Sequence, residues 1–210
     1  MKLILLGPPG VGKGTQANLL EKKFQIPKIS TGDILRSEIQ SQSSLGQKAQ
    51  QFINDGKLVP DEVVIGIIKN RLQKSDCRQG FILDGFPRTL PQAEALKKIT
   101  SIDHVIYLKC DEEELIKRLE GRRTCSRCAK MYHIIFTSPK KESVCDECGG
   151  DLVQRKDDHR QTIAKRLQEY DRLTKPLLSY YKTEKNLKSV DGLAAVEDVF
   201  KRLLTMVSPS

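Results

Sequence analysis

The glycines and the lysine near the amino terminus have the spacing of an anion-binding loop. An apolar run at 3–6 leads into Gly7-Pro8-Pro9-Gly10-Val11-Gly12-Lys13, and a helical pattern follows. Glycines at this spacing let backbone N–H groups turn inward around phosphate oxygens, while the lysine reaches the outer phosphates and the helix adds its positive dipole end. A flexible glycine turn after an edge strand is the alternative, which the order of strand, loop, lysine and helix disfavours. The sequence therefore predicts a nucleotide phosphate site.

Three further positions bear on phosphate chemistry. Gly14 stands where such loops usually have Ser or Thr after the lysine, and Thr15 comes next, so the loop's own magnesium ligand is left open. Asp84 follows the apolar run at 80–83, and at the carboxyl end of a strand it could hold magnesium directly or through water. Arg88 could bind a phosphate with its forked guanidinium. The plainer interpretations are a turn-forming aspartate and a surface arginine.

Four of the six cysteines form two Cys-x2-Cys pairs separated by sixteen residues: Cys125, Cys128, Cys145 and Cys148. Paired knuckles at this spacing are typical of a zinc ion bound by four thiolates. Two disulfides are the alternative, which a reducing compartment would disfavour. His133 could be a ligand in principle, but four cysteines already complete the site, and Tyr132 is expected to pack or stack. The pattern predicts a structural zinc site.

Length and charge limit the classes of protein. The 210 residues suffice for one sizeable core and a small appendage, and the net charge of +9 suits nucleic acid, an anionic membrane or phosphorylated small molecules. An aromatic content of 5% and the absence of tryptophan disfavour a surface that stacks single-stranded bases. The insert at 121–158 carries +2, which four thiolates and one Zn²⁺ would bring to about zero, unlike a nucleic-acid finger. No apolar stretch is long enough for a signal peptide or a membrane span, so we expect a cytosolic protein.

Alternating strand and helix patterns predict one parallel sheet that is covered on both faces. The predicted strands lie at 3–6, 26–29, 80–83, 104–109 and 189–192. The predicted helices lie at about 14–23, 34–40, 44–55, 91–98, 111–120, 161–170 and 195–206, with two more beginning near 60 and 176. Ser30 or Thr31 is expected to cap the second helix, because hydroxyl side chains accept from free N–H groups there.

Several motifs together resemble one family. They are residues 7–16, Ser30-Thr31-Gly32-Asp33-Ile34-Leu35-Arg36, Asp84-Gly85-Phe86-Pro87-Arg88-Thr89, Gly121-Arg122-Arg123 and Arg155-Lys156-Asp157-Asp158. Their order, over nearly the whole chain, is similar to that of adenylate kinases in the bacterial form with a long zinc-bearing lid. Gly14 after the lysine is normal in this family. The resemblance implies an α/β fold like that of P-loop NTPases: a five-stranded parallel sheet with helices on both faces, a helical AMP-binding segment and a small lid.

The resemblance also implies an activity and its residues. The protein would be a monomeric cytoplasmic kinase that converts Mg-ATP and AMP into two ADP, with no nucleic-acid or membrane partner. The core would comprise 1–29, 60–121 and 159–210, the monophosphate-binding segment 30–59 and the lid 122–158. Expected catalytic residues are Lys13, Arg88, Arg122, Arg155 and Arg166. Expected ATP-binding residues are Gly10, Val11, Gly12, Lys13, Gly14, Thr15, Arg118, Arg122, Met131, Tyr132 and, through its backbone, Ala194. Expected AMP-binding residues are Thr31, Arg36, Lys57, Leu58, Val59, Gly85, Phe86, Pro87, Arg88, Gln92, Arg155 and Arg166. The four cysteines would bind structural zinc, and Asp84 would bind magnesium through water.

Three other functions stay open. A kinase for UMP/CMP or for GMP would share the fold, and Thr31 and Gln92 are the positions that would discriminate between the bases. A zinc-ribbon nucleic-acid binder is supported by the positive charge and the cysteine pairs, whereas the phosphate loop and the scattered arginines argue against it. A catalytically silent nucleotide-sensing protein is the third.

Overall fold

Strands and helices alternate along residues 1–207, which the computed structural model of the chain describes. The strands are β1 (Lys2–Leu6), β2 (Lys28–Ser30), β3 (Phe81–Asp84), β4 (His104–Lys109), β5 (Arg122–Cys125), β6 (Met131–His133), β7 (Leu152–Val153) and β8 (Leu187–Asp191). The α-helices are α1 (Lys13–Phe24), α2 (Thr31–Gln40), α3 (Ser44–Asn54), α4 (Asp61–Leu72), α5 (Leu90–Ile99), α6 (Glu112–Glu120), α7 (Arg160–Glu169), α8 (Leu177–Thr183) and α9 (Val196–Val207). A π-helix, Tyr170–Thr174, continues α7, and short 3₁₀ turns lie at Ser75–Cys77 and Lys156–Asp158.

A parallel sheet with the strand order β2-β3-β1-β4-β8 forms the centre of the molecule. Successive side chains of a strand point to opposite faces. Leu3 and Leu5 of β1 therefore pack in one buried cluster with α1, α6, α7 and α9, and Ile4 and Leu6 pack in a second with α2, α4, α5 and α8. This confirms the predicted five-stranded sheet with helices on both faces.

The second strand and the second helix differ slightly from their predicted bounds. β2 covers Lys28–Ser30 rather than 26–29, because Pro27 lacks an N–H and contributes only its carbonyl, which accepts from the Ile82 N–H at 3.0 Å. α2 begins at Thr31, three residues earlier than predicted. Ser30 is its N-cap, since its hydroxyl accepts from the Asp33 N–H at 3.2 Å. The Thr31 side chain is thereby left available for another bond.

The insert between α6 and α7 forms a small antiparallel sheet with the order β6-β5-β7. Its core contains Cys125, Tyr132, Cys145 and Leu152. The insert is folded down onto the rest of the molecule: the Gln40 side-chain amide of α2 donates to the Ser126 carbonyl at 3.3 Å. Within residues 1–207, no helix is long and apolar enough to cross a membrane.

Candidate active site

A cavity of about 830 Å³ lies at the carboxyl ends of β1 and β3, where the strand order reverses around β1. In α/β folds this is the usual place for a ligand site. Its walls come from the loop before α1, from the segment around α2 and α3, and from the insert. Predicted site residues on these walls are Gly10, Val11, Gly12, Lys13, Gly14, Thr15, Thr31, Arg36, Lys57, Leu58, Val59, Asp84, Gly85, Pro87, Arg88, Gln92, Arg118, Arg122, Met131, Tyr132, Arg155, Arg166 and Ala194.

The glycine loop has the backbone conformation that anion binding needs. Gly10 and Gly12 have φ angles of 88° and 98°, which residues with a side chain adopt only with strain. The Lys13 ammonium donates to the carbonyls of Gly7 and Pro8 at 2.7 and 2.8 Å and so closes the loop. Burial lowers the pKa of Lys13 to about 7; Asp84 opposes this shift, while neighbouring arginines increase it. A bound phosphate would supply a negatively charged partner for this ammonium.

The close approach of Met131 and Asp84 explains why residue 14 is a glycine. A Cβ built on Gly14 would come within 2.8 Å of the Met131 Cε and within 3.3 Å of an Asp84 carboxylate oxygen. A hydroxyl-bearing residue would therefore displace Met131, which belongs to the insert. Asp84 ends β3 opposite Leu5 of β1, so its carboxylate faces the loop, and a carboxylate is a ligand that Mg²⁺ accepts directly or through water.

Five arginines converge on the middle of the cavity: Arg36, Arg88, Arg122, Arg155 and Arg166. Burial lowers the pKa of Arg88 to about 10 and that of Arg155 to about 9, and in both cases a neighbouring arginine lowers it further. Even so, these groups stay charged at neutral pH. These half-buried cations, together with Lys13, outnumber the acids beside them and form a site for a polyanion.

Two acids that the sequence analysis left without a role hold this cluster together. Asp158 is fully buried and accepts from the Arg122 Nε at 2.7 Å and from an Arg166 guanidinium nitrogen at 2.7 Å. Asp157 pairs with Arg166 at 3.1 Å. Although burial raises the pKa of Asp157, the surrounding arginines bring it below its usual value. Asp157 and Asp158 were quoted only as parts of a motif, and their spacing in the chain gave no sign of these contacts.

The other end of the cavity is lined by hydrogen-bonded groups of the core. The Thr31 hydroxyl and the Arg88 Nε both donate to the Gly85 carbonyl at 2.8 Å. The Gln92 side-chain oxygen accepts from the Arg88 backbone N–H at 2.8 Å. Phe86 does not line this end; its side chain is 1% exposed and packs in the core behind it. The expectation that Phe86 binds AMP therefore lacks a side-chain basis.

Comparison with known proteins agrees with this geometry. The adenylate kinase family model matches residues 5–186. The chain is 52% identical to the adenylate kinase of Geotalea uraniireducens and 54% identical to that of Citrifermentans bemidjiense, in alignments that cover 99% of the chain and 98 and 99% of the relatives. It is 50% identical to the adenylate kinase of Archaeoglobus fulgidus, over 97% of the chain and 96% of that protein. The chain belongs to the adenylate kinase family. The resemblance seen in the motifs is thus confirmed.

The cysteine cluster of this adenylate kinase family member fits a tetrahedral metal. The four Sγ atoms lie within 4.8 Å of one another, with Cys125–Cys148 at 3.4 Å and Cys128–Cys145 at 3.6 Å. Zinc–thiolate bonds of about 2.3 Å in a tetrahedron place sulfurs about 3.8 Å apart, whereas a disulfide needs about 2.05 Å. The spacing therefore favours a metal over two disulfides. Within the described part of the chain, none of these cysteines lines the cavity.

The insert also shows which of its side chains face the cavity. Tyr132 touches the wall, but its ring is buried in the insert core and its hydroxyl lies 3.5 Å from the Cys145 Sγ. The Tyr132 hydroxyl is therefore not the group that would contact ATP. Phe136, which the sequence analysis did not single out, lines the cavity with its ring 5.7 Å from the Arg118 guanidinium. Its place in an apolar run within a polar insert was the available signal.

Proposed function

We propose that the protein catalyses reversible phosphoryl transfer between Mg-ATP and AMP, giving two ADP, as the names of its relatives indicate. The observation that supports this best is one cavity that has different side chains at its two ends and a cluster of cations between them. Gln92 offers an amide at one end, and Arg118 with Phe136 offers a stacking surface at the other. A phosphate chain that joins two nucleosides would pass Lys13 and the five arginines.

The chemistry follows from charge. In phosphoryl transfer the negative charge spreads over the equatorial oxygens of the transferred group, so no protein nucleophile is needed. Lys13, Arg88, Arg122, Arg155 and Arg166 would stabilise this charge, and their effect is larger in a site from which water is excluded. Asp84 would hold the Mg²⁺ that accompanies ATP through water, and the metal would supply positive charge beside the phosphates.

The domain roles are part of the proposal. The segment 30–59 would bind AMP and the insert 122–158 would act as a lid that closes over ATP, because water competes with AMP as the acceptor. The contact between Gln40 and Ser126 joins these two regions in a closed arrangement. Zinc in the four-cysteine cluster would be structural, since four thiolates leave no open position for substrate. We further expect a monomer that works in the cytoplasm without nucleic acid or membrane.

A coupled assay with AMP, GMP, UMP and CMP as acceptors and Mg-ATP as donor tests the activity. AMP should give the highest kcat/KM. Comparable efficiency with GMP or with UMP and CMP would indicate one of the related kinases instead. No turnover with any monophosphate, despite measurable ATP binding by calorimetry, would favour the nucleotide-sensing alternative. Tight, salt-dependent binding of single-stranded oligonucleotides would favour a zinc-ribbon nucleic-acid binder.

A further inference from the structure

A partly buried chain of hydrogen bonds connects α4 to the monophosphate end of the cavity. Asp61, the first residue of α4, accepts from the Gln92 side-chain Nε2 at 2.7 Å and, through its other oxygen, from the Thr89 hydroxyl at 2.9 Å. Gln92 is 1% exposed. The Thr89 hydroxyl in turn caps α5 by accepting from the Gln92 backbone N–H at 3.3 Å. Because its oxygen also accepts from the Arg88 backbone N–H, the Gln92 side chain is held at both ends of its amide.

These contacts fix which end of the amide is nitrogen. An ionised carboxylate can only accept, so the atom that faces Asp61 must be the donating NH₂ group. A backbone N–H can only donate, so the atom that faces Arg88 must be the oxygen, and that bond measures 2.8 Å. The reversed amide would lose both bonds. Its oxygen would then face the Asp61 carboxylate, and its NH₂ group would face the Arg88 N–H. The orientation thus follows from the chemistry of the two partners.

We propose that Asp61 is the positioning residue that makes Gln92 a hydrogen-bond donor toward the acceptor base, and thereby sets selectivity for adenine. This inference rests on the proposed function. The NH₂ group has two hydrogens, and Asp61 takes one of them. The other is offered from the cavity wall. Adenine has an unprotonated ring nitrogen, N1, on its Watson–Crick edge, whereas guanine and uracil carry an N–H at the corresponding position. A donating amide can form a hydrogen bond to adenine N1, whereas it repels the N–H of guanine or uracil.

The polarity of this one amide separates two groups of bases. GMP and UMP would bring an N–H toward an N–H, so both should be poor acceptors of the phosphoryl group. CMP has an unprotonated ring nitrogen, so the Asp61–Gln92 pair does not exclude it, and the smaller pyrimidine must be rejected by fit. Asp61 itself has no place on the cavity wall, and its influence reaches the base only through Gln92.

The sharpest probe is 1-deaza-AMP, in which a C–H replaces the N1 acceptor and the exocyclic amine is kept. For the unmodified protein we expect kcat/KM for AMP to exceed that for 1-deaza-AMP by roughly tenfold or more, the usual effect of one buried hydrogen bond. In Asp61→Ala the amide loses its fixed direction, so this ratio should fall by roughly tenfold while kcat at saturating AMP changes little. Discrimination against GMP should weaken in parallel.

Two variants separate positioning from a structural role. Thr89→Val removes the other bond to the same carboxylate together with the cap of α5, and it should lower the melting temperature but leave the AMP/1-deaza-AMP ratio unchanged. Asp61→Asn retains an oxygen that accepts from Gln92, so it should keep most of the selectivity. In a Gln92→Ala background, Asp61→Ala should have no further effect on the ratio.

Each outcome has a definite meaning. A folded Asp61→Ala protein with an unchanged ratio would overturn the inference, as would an equal loss of selectivity in Thr89→Val. An unmodified protein that fails to phosphorylate AMP would instead overturn the proposed function. If Asp61→Ala does not fold, ¹⁵N side-chain spectra of the unmodified protein give a second test. Adding AMP should then shift the Gln92 amide proton that is not bonded to Asp61 much more than its partner, and equal shifts would contradict the inference.

Discussion

The two ends of the cavity are built in different ways. At the monophosphate end, Thr31 and Arg88 are bonded to the Gly85 carbonyl and Gln92 to the half-buried Asp61 before any ligand arrives. At the lid end, the turn that carries Phe136 is open to solvent: Ile135 is 73% exposed and Phe136 58%. The first end is preorganised, whereas the second has few buried contacts, and we expect it to gain its order from ATP.

The difference extends to what holds each part folded. The monophosphate end shares one large hydrophobic cluster with the central sheet. The insert has a core of only four residues, two of which belong to the four-cysteine cluster. We therefore expect substitutions to act differently at the two ends. Changes at the cation cluster should abolish phosphoryl transfer, and changes in the insert core should destabilise the insert. Changes in the exposed turn should affect the KM for ATP alone.

Replacing Lys13 with methionine should have the largest effect, since Lys13 serves both ends. We expect kcat to fall by roughly a thousandfold or more, because the charge nearest the transferred group is lost. The fold should persist, as an apolar side chain replaces an ammonium whose pKa burial has already lowered to about 7. Steady-state kinetics and thermal melting of the same preparations check this. A Lys13→Met protein that keeps most of its kcat would remove Lys13 from the mechanism.

Asp158→Asn should be next in size, because it leaves two half-buried arginines, Arg122 and Arg166, without their shared carboxylate. We expect kcat to fall by about 10- to 100-fold and the melting temperature to drop, since breaking a buried ion pair costs about 3–5 kcal/mol. Asp151→Asn, an exposed aspartate of the same insert, is the matched control and should change neither quantity. Equal behaviour of the two variants would show that Asp158 does not position the arginines.

These acids also mark the limit of what the sequence could predict. The sheet, the phosphate loop and the cysteine pairs depend on short patterns, and each lies within two residues of where it was expected. The role of Asp158 depends on a contact with Arg122, 36 residues away in the chain, which only the folded insert brings about. The inward packing of Phe86 and Tyr132 could not be predicted for a related reason. A motif gives a residue's position in the chain but not the side to which its side chain turns, and both rings pack inward.

Removal of zinc should affect stability more than chemistry. The binding free energy of comparable small sites, about 10–16 kcal/mol, would be spent on folding an insert that has almost no core of its own. Chelation should therefore lower the melting temperature while activity survives at temperatures where the metal-free insert still folds. Cys145→Ser should act similarly but more mildly. A metal-free protein with unchanged circular dichroism and melting, but with activity that returns only on adding zinc, would contradict a purely structural role.

The smallest expected effect concerns His133, which organises the exposed turn. Its Nδ1 accepts from the backbone N–H groups of Ile135 and Phe136 at 3.0 and 3.2 Å, as only the neutral ring can. Burial lowers the pKa of His133 below 6.5; Arg118 and Arg123 lower it further, while the Lys117 carbonyl and Glu114 oppose the shift.

As the pH falls through this lowered pKa, the imidazolium forms and both of its hydrogen bonds to the turn are lost. The KM for ATP should therefore rise about 2- to 10-fold as the pH falls through this pKa, beyond the change due to ATP's own ionisation, while the KM for AMP is unaffected by His133. His133→Asn places a non-titrating oxygen near Nδ1 and should remove this extra dependence, whereas His133→Ala should show the high KM at every pH. If the KM for AMP changed in step with that for ATP, the turn would not be specific to the ATP end, and the contrast between the two ends would fail.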